Sequence, residues 1–368
     1  HACAPDVAAV FSSPDGHGLL LTRAALALLP EAIRGLADGD GRLRAAAARR
    51  AWRALPAPRR QRIAPLLVRL LTQLSERGIG EVHAMGESTQ TLRVLQELER
   101  ARRLPVRVRV YLDAHDPQTP TVLREAAARG RPSRPPLVTV AGVKLWLDGT
   151  LGGRTAALRG TYTDAPGQGS LETSDAELRA WIGRCDRADR QLAVHAIGDA
   201  ALGQLLRVAG ARTEGAVPIR IEHAQVVGAD QLAGLRGFVC SVQPLHRLED
   251  HSFAAARLGE ARVADGWRAR SLQATCPLLL GSDLPISPSD PDQWRKELRG
   301  ELEPSRPESE HLDAVAIEDA LRRDPRTGQR RRLRVGAPAD LRTPERGGLL
   351  VVDGVVRIVS PEILAATR

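Results

Sequence analysis

The chain is poor in aromatic residues, 3% of 368, and has a single methionine. Lysine is almost missing too: of 53 basic residues only Lys144 and Lys296 are lysine, and the rest are arginine. The formal charge of +9 therefore reflects an arginine bias spread along the whole chain. Without aromatic rings interleaved in a basic stripe, it does not make a nucleic-acid surface. No nucleic-acid partner is expected; a polyanion-binding barrel is the rival reading, marked by affinity that falls steeply with salt. The four cysteines, Cys3, Cys185, Cys240 and Cys276, form no CxxC pair. That excludes a disulfide framework and a cysteine zinc knuckle, and it fits a reducing cytoplasm. No apolar run approaches the ~18 residues of a membrane-spanning helix, so a soluble protein with no membrane partner is expected. No leader peptide is visible, and the first residue is His1 rather than Met.

Between Ile79 and Pro285, short β-branched runs recur, separated by stretches long enough for amphipathic helices. That rhythm predicts parallel strands joined by helices. The runs are Gly80 to Met85, Val106 to Leu112, Val143 to Leu147, Leu192 to His195, Ile219 to His223, Phe238 to Val242 and Leu278 to Ser282. Seven is one short of a closed eight-stranded barrel. Helices are expected over Ala176 to Ala188, entered through Ser174-Asp175, and over Ala200 to Val208. After about residue 300 the chain turns rich in Arg, Pro and Glu, then gives LRVGAPADL and LLVVDGVVRIV, which read as short strands with Asp-Gly turn chemistry. The expected division is a (β/α) barrel over 1–330 and part of a small β-sandwich over 331–368.

The chemistry-bearing residues fall at the carboxyl ends of these runs, the edge where such barrels build active sites. Lys144, in VKLWLDG, sits in a strand apolar on both sides, where an unpaired ammonium is costly. Either its head snorkels to the rim, or CO2 adds to the neutral amine to give a carbamate that bridges two metals. His195 and His223 each end an apolar strand; alone, either serves as readily as a structural residue, but on nearby strands they point into one mouth. Asp283, after PLLLGS, completes a set suited to Zn, Mn, Fe or Co, although a turn or cap would also explain it. Arg154, His17 and Gln243 are candidates for substrate binding. His83 is expected to be structural, Asp199 a helix cap, and Glu222, which alternates with His223, to point outward into the helix layer.

The segments VKLWLDGTLGGRTAAL, YTDAPGQGSL, LAVHAIGDAAL, IRIEHAQVV, SVQPLH and GSDLPI, in that order, resemble the successive motifs of the YtcJ-like branch of the amidohydrolase superfamily, which includes N-substituted formamide deformylases. DGHGLLLTRAAL, GIGEVHAMGE and VGAPADL extend the likeness over nearly the whole chain. The resemblance implies a distorted eight-stranded metallohydrolase barrel and a small amide substrate. It implies one or two divalent metals, zinc foremost, held by a first-strand His-x-His, a carboxylated lysine, two later histidines and an aspartate. Lys144, His195, His223 and Asp283 match four of those roles, with Asp283 as the general base and then acid. Family members often pair, so a homodimer is among the expectations. One feature departs: none of the nine histidines has another two positions away, so the His-x-His is missing and the barrel is expected to lack its first strand. The alternative is therefore a truncated or degenerate homologue with impaired catalysis.

Overall fold

A computed structural model describes residues 6–13, 16–56, 58–130, 135–210, 215–304, 306–331, 340–342 and 349–358. Near the amino end β1 (Val10–Ser12), β2 (Gly18–Leu21) and β3 (Arg42–Arg44) form an antiparallel sheet. Leu19, Leu21 and Leu43 of that sheet close over Ala48 and Ala51 of the helix Ala45–Ala54. The main sheet follows: β4 (Glu81–Glu87), β5 (Arg107–Asp113), β6 (Val138–Trp146), β7 (Gln191–Ala196), β8 (Arg220–His223), β9 (Val239–Val242) and β10 (Leu278–Leu280). All neighbours run parallel in chain order. The seven runs expected from the sequence are these seven strands, except that β6 begins at Val138 rather than Val143. Among the described residues no eighth strand pairs with this sheet, so β4 and β10 are its edges.

The two faces of the sheet differ because the strands alternate. In β5, Val108, Val110 and Leu112 point one way and pack on Leu92, Leu95 and Leu98 of the helix Thr89–Arg100. Farther along, Val143, Leu145, Leu192, Val194 and Ile221 meet Leu178 and Ile182 of the helix Asp175–Ala188 and Leu202 and Leu205 of the helix Asp199–Ala209. The first of these two helices starts as expected, with the Ser174 hydroxyl accepting the Glu177 amide at 3.2 Å. Asp199, expected to cap the second, instead accepts the Arg159 amide at 2.8 Å, while Gly198 holds the cap position.

The inner face is polar, where such barrels usually carry branched aliphatic layers. Residues in register on parallel strands share a face. One row therefore runs Asp113, Lys144, Ala193, Arg220, Val239, and the next runs Trp146, His195, Glu222, Ser241, Leu279. Glu222 thus faces inward, contrary to the alternation argument: it is 4% exposed and pairs with Arg220 at 2.5 Å. His83 joins the same network, between Glu81 at 2.9 Å and Arg220 at 2.7 Å.

Glu81 forms an ion pair with Arg109 at 2.9 Å and accepts a hydrogen bond from Arg331 at 2.6 Å. Burial works against its charge, yet the His83 hydrogen bond and the two guanidiniums hold its pKa well below the ordinary 4.5. The folded pKa lies below the unfolded one, so this stabilisation is complete above pH ~4.5 and is lost as the pH falls through the folded value. Glu81→Gln is expected to cost about 1–3 kcal/mol in urea melts at pH 7, because it removes a buried carboxylate shared by the partly exposed Arg109 and Arg331 and by His83. The gap between variant and parent should shrink below pH 4; an unchanged gap would remove Glu81 as the anchor.

Beyond the barrel, β11 (Leu341–Arg342), β12 (Leu350–Val352) and β13 (Val355–Ile358) form a second antiparallel sheet. Asp353 and Gly354, with φ of 53° and 78°, make the expected Asp-Gly hairpin turn. Arg107, 2% exposed, reaches Asp340 at 3.0 Å and Asp353 at 3.6 Å, tying this sheet to the amino end of β5. Most of LRVGAPADL, residues 333–339, and Cys3 lie outside the described residues.

Candidate functional site

Lys144 lies on the inner face of β6 near its carboxyl end, 4% exposed. Burial lowers its pKa from 10.5 to about 8, against the pull of the Glu222 and Asp283 carboxylates. Its ammonium lies 5.6 Å from the centroid of the Trp146 ring. Space for that ring comes from Gly86 in β4: at φ 72°, an added Cβ would stand 2.5 Å from the Trp146 ring edge.

His195, one row farther along the same face, is 1% exposed. Its Nε2 bonds the Gly149 carbonyl at 2.9 Å, which leaves Nδ1 uncommitted. Asp148, fully buried, stands 3.5 Å from the same Nε2 and accepts the Ala157, Ile197 and Gly198 amides. Burial raises the Asp148 pKa to about 7 despite those three donors.

His223 reaches the site by a break in the backbone. Strand parity would send it to the helix layer, since it follows the inward Glu222. Instead, His223 and Ala224 take φ of 76° and 42°, and the His223 ring centroid comes 4.5 Å from that of His195. Left-handed geometry costs a non-glycine residue about 1–2 kcal/mol, and such strain concentrates at functional sites. Gln243 fixes the ring: its Oε1 accepts from Nδ1 at 2.8 Å, leaving Nε2 free. Burial, ahead of any neighbouring group, holds both imidazole pKa values well below 6.5, so both rings are neutral.

Asp283 follows β10 at the same edge, exposed and with φ 56°, within electrostatic reach of Lys144 and His246. His17, from the turn between β1 and β2, lies tilted against His195 with centroids 5.0 Å apart and bonds Arg49 at 3.1 Å. Arg49 also pairs with Glu172 and lies over Trp146. Arg154 is drawn away: both arms of its guanidinium hold Asp164 at 3.0 Å. Asp148, Arg49, Arg220 and His246 were not singled out from the sequence, and Glu222 was assigned there to the opposite face. Only His246, ending SVQPLH, carried a visible signal there, a histidine just past a strand.

Lys144, His195 and His223 are thus brought together, with Asp283 at the rim. Among the described residues no group of three or more His, Cys, Asp or Glu side chains is placed to hold a metal ion. The donors do fit one in kind. Two neutral imidazoles each have one nitrogen pinned by an oxygen and the other free, the arrangement that orients a metal ligand. His246 Nε2, beside them, is buried without a partner among the described residues. A third strong donor requires that Lys144 supply an oxygen in place of its ammonium.

The Amidohydrolase family profile matches residues 1–295. The chain is 37% identical over 161 residues to Protein LONG AFTER FAR-RED 3 of Arabidopsis thaliana, covering 41% of this chain and 28% of that one. To the provisionally assigned amidohydrolase YtcJ of Bacillus subtilis (strain 168) it is 32% identical over 164 residues, 42% of this chain and 30% of that one. The matched stretch spans less than a third of either curated relative. An uncharacterized metal-dependent hydrolase from Pyrococcus horikoshii OT3 superposes with a TM-score of 0.71 at 29% identity, over 86% of this chain and 65% of that one. No helix among the described residues is long and apolar enough to cross a membrane.

Proposed function

The chain belongs to the amidohydrolase family, and from that premise we propose that it is a metal-dependent hydrolase cleaving a non-peptide carbon–nitrogen bond of a small amide or formamide. One observation carries the reading: a buried lysine shares an inner sheet face with His195, whose ring meets that of His223 at 4.5 Å. Lys144, His195, His223 and Asp283 would hold the divalent ion, zinc foremost. When bound, that ion supplies Lewis-acid polarisation of the scissile carbonyl and a more acidic water.

The chain's own residues do the rest. Burial that lowers the Lys144 pKa to about 8 leaves part of the amine neutral near neutral pH. Its lone pair can form a bond to the carbon of CO2, losing one proton to solvent and leaving an anionic carbamate. Gly149 and Gln243 keep His195 and His223 in fixed tautomers. Asp283 accepts a proton from the attacking water and returns it to the leaving nitrogen. His17 lies against the His195 ring, and Arg49 lies over the Trp146 ring that Lys144 also approaches.

The test is metal analysis of the purified chain after incubation with zinc or manganese and bicarbonate, with hydrolysis assayed on small formamides. At least one equivalent of metal and chelator-sensitive turnover are expected. Well under one equivalent, with no rescue, would favour the catalytically impaired homologue instead.

A further inference from the structure

Just past the end of β6, two loops lock together around the carboxylate of Asp148, which is fully buried. Its Oδ2 accepts the Ala157 amide at 2.9 Å and the Gly198 amide at 2.8 Å, and its Oδ1 accepts the Ile197 amide at 3.1 Å. Ala157 belongs to the loop after β6, whereas Ile197 and Gly198 form the turn between β7 and the helix Asp199–Ala209. The loops meet so closely that a Cβ on Gly198 would stand 1.9 Å from the Ala157 carbonyl oxygen. Three buried amides drawn from two loops therefore depend on one side chain for their hydrogen bonds.

The loop that Asp148 gathers also carries the Gly149 carbonyl. It folds back on itself: the Thr155 hydroxyl accepts the Thr150 amide at 2.9 Å, and the Thr150 carbonyl accepts the Thr155 and Ala156 amides at 3.0 Å. That fold sets the Gly149 oxygen 2.9 Å from His195 Nε2. A carbonyl oxygen can only accept, so Nε2 carries the ring proton and Nδ1 keeps the lone pair. Asp148 Oδ1, 3.5 Å from the same Nε2, places a second acceptor beside that proton.

We infer that Asp148 is a positioning residue that holds His195 in its Nε2–H tautomer, directly through Oδ1 and indirectly by fixing the Gly149 carbonyl. Nδ1 is thereby kept as the donor to a divalent ion. The ion rests on the metal-dependent hydrolase reading; the tautomer does not. A carboxylate that only joined the two loops would support stability and leave the ring proton indifferent to it.

The test reads the ring nitrogens of the metal-free full chain, labelled with 15N-histidine, by NMR at mildly alkaline pH. The His195 signals are assigned by their loss in His195→Gln. The parent should show Nε2 protonated and Nδ1 bare. Asp148→Asn turns one carboxylate oxygen into a donor facing other donors, so His195 should become a mixture of tautomers. Its zinc affinity, measured by competition with a chelator, should fall about 10–100-fold. If Asp148→Asn does not fold, the smaller Asp148→Ser is read in the same way. Tyr162→Phe removes the hydroxyl bond to the Ala156 carbonyl, 2.9 Å, on the same loop without touching Asp148. It should lower the melting temperature and keep the parent's tautomer. A parent protonated at Nδ1, a parent-like tautomer in the Asp148 variant, an equal tautomer change in Tyr162→Phe, or zinc affinity unchanged despite mixed tautomers would overturn the inference. Mixed tautomers in the variant, with zinc bound by neither protein, would defeat only the hydrolase reading. Zinc-dependent turnover with the tautomer unmoved would defeat only this one.

Discussion

Lys144→Met is expected to reduce zinc retention by more than a hundredfold while leaving the sheet folded. Removing a residue that merely orients a metal ligand costs about 10–100-fold in affinity, so losing a ligand outright costs more. Methionine fills the volume of the lysine stem beside Trp146 and Gly86, so packing changes little. It also removes an ammonium that burial destabilises. The metal-free variant should therefore unfold in urea no earlier than its parent. The expected signature is a protein with the parent's circular dichroism and midpoint but with metal lost on gel filtration. Metal content equal to the parent's would show that Lys144 is not a ligand, and its burial would then need another cause.

Much of this arrangement could be read from the sequence because it depends on local pattern. The seven β-branched runs announced their strands, and a lysine inside VKLWLDG was conspicuous among so many arginines. What escaped depends on relations between strands. Whether Glu222 points in or out is decided by its register with His195 on β7 and Ser241 on β9, which no single strand encodes. Parity within β8 alone gave the wrong face. The same parity would have removed His223 from the site, had its backbone not turned to φ 76° at the strand end. Asp148 was passed over because its partners, the amides of Ala157, Ile197 and Gly198, come from two loops that meet only in the fold. Arg154 looked like a free fork in the sequence, and Asp164, ten residues on, takes both its arms.

Asp283→Asn should do the reverse of Lys144→Met, keeping most of the metal and removing turnover. Asp283 occupies a left-handed backbone position, φ 56°, that asparagine tolerates well, and its carbonyl accepts the Ile286 amide at 2.8 Å in either case. The exchange therefore preserves the loop after β10 and one side-chain oxygen. What it removes is the basicity needed to take a proton from water and hand it to the leaving nitrogen, a contribution of about 10²–10⁴ in rate. Asp283→Ala is the useful contrast, because alanine loses the oxygen and is also strained at this φ by roughly 1–2 kcal/mol. The expected order is a full metal complement with kcat down at least a hundredfold for the asparagine variant, and lower metal content and a lower melting temperature for the alanine variant. Turnover within a few-fold of the parent in Asp283→Asn, at unchanged metal content, would move the proton-transfer role to another group at this edge of the sheet, and His246, beside His223, is the next to test.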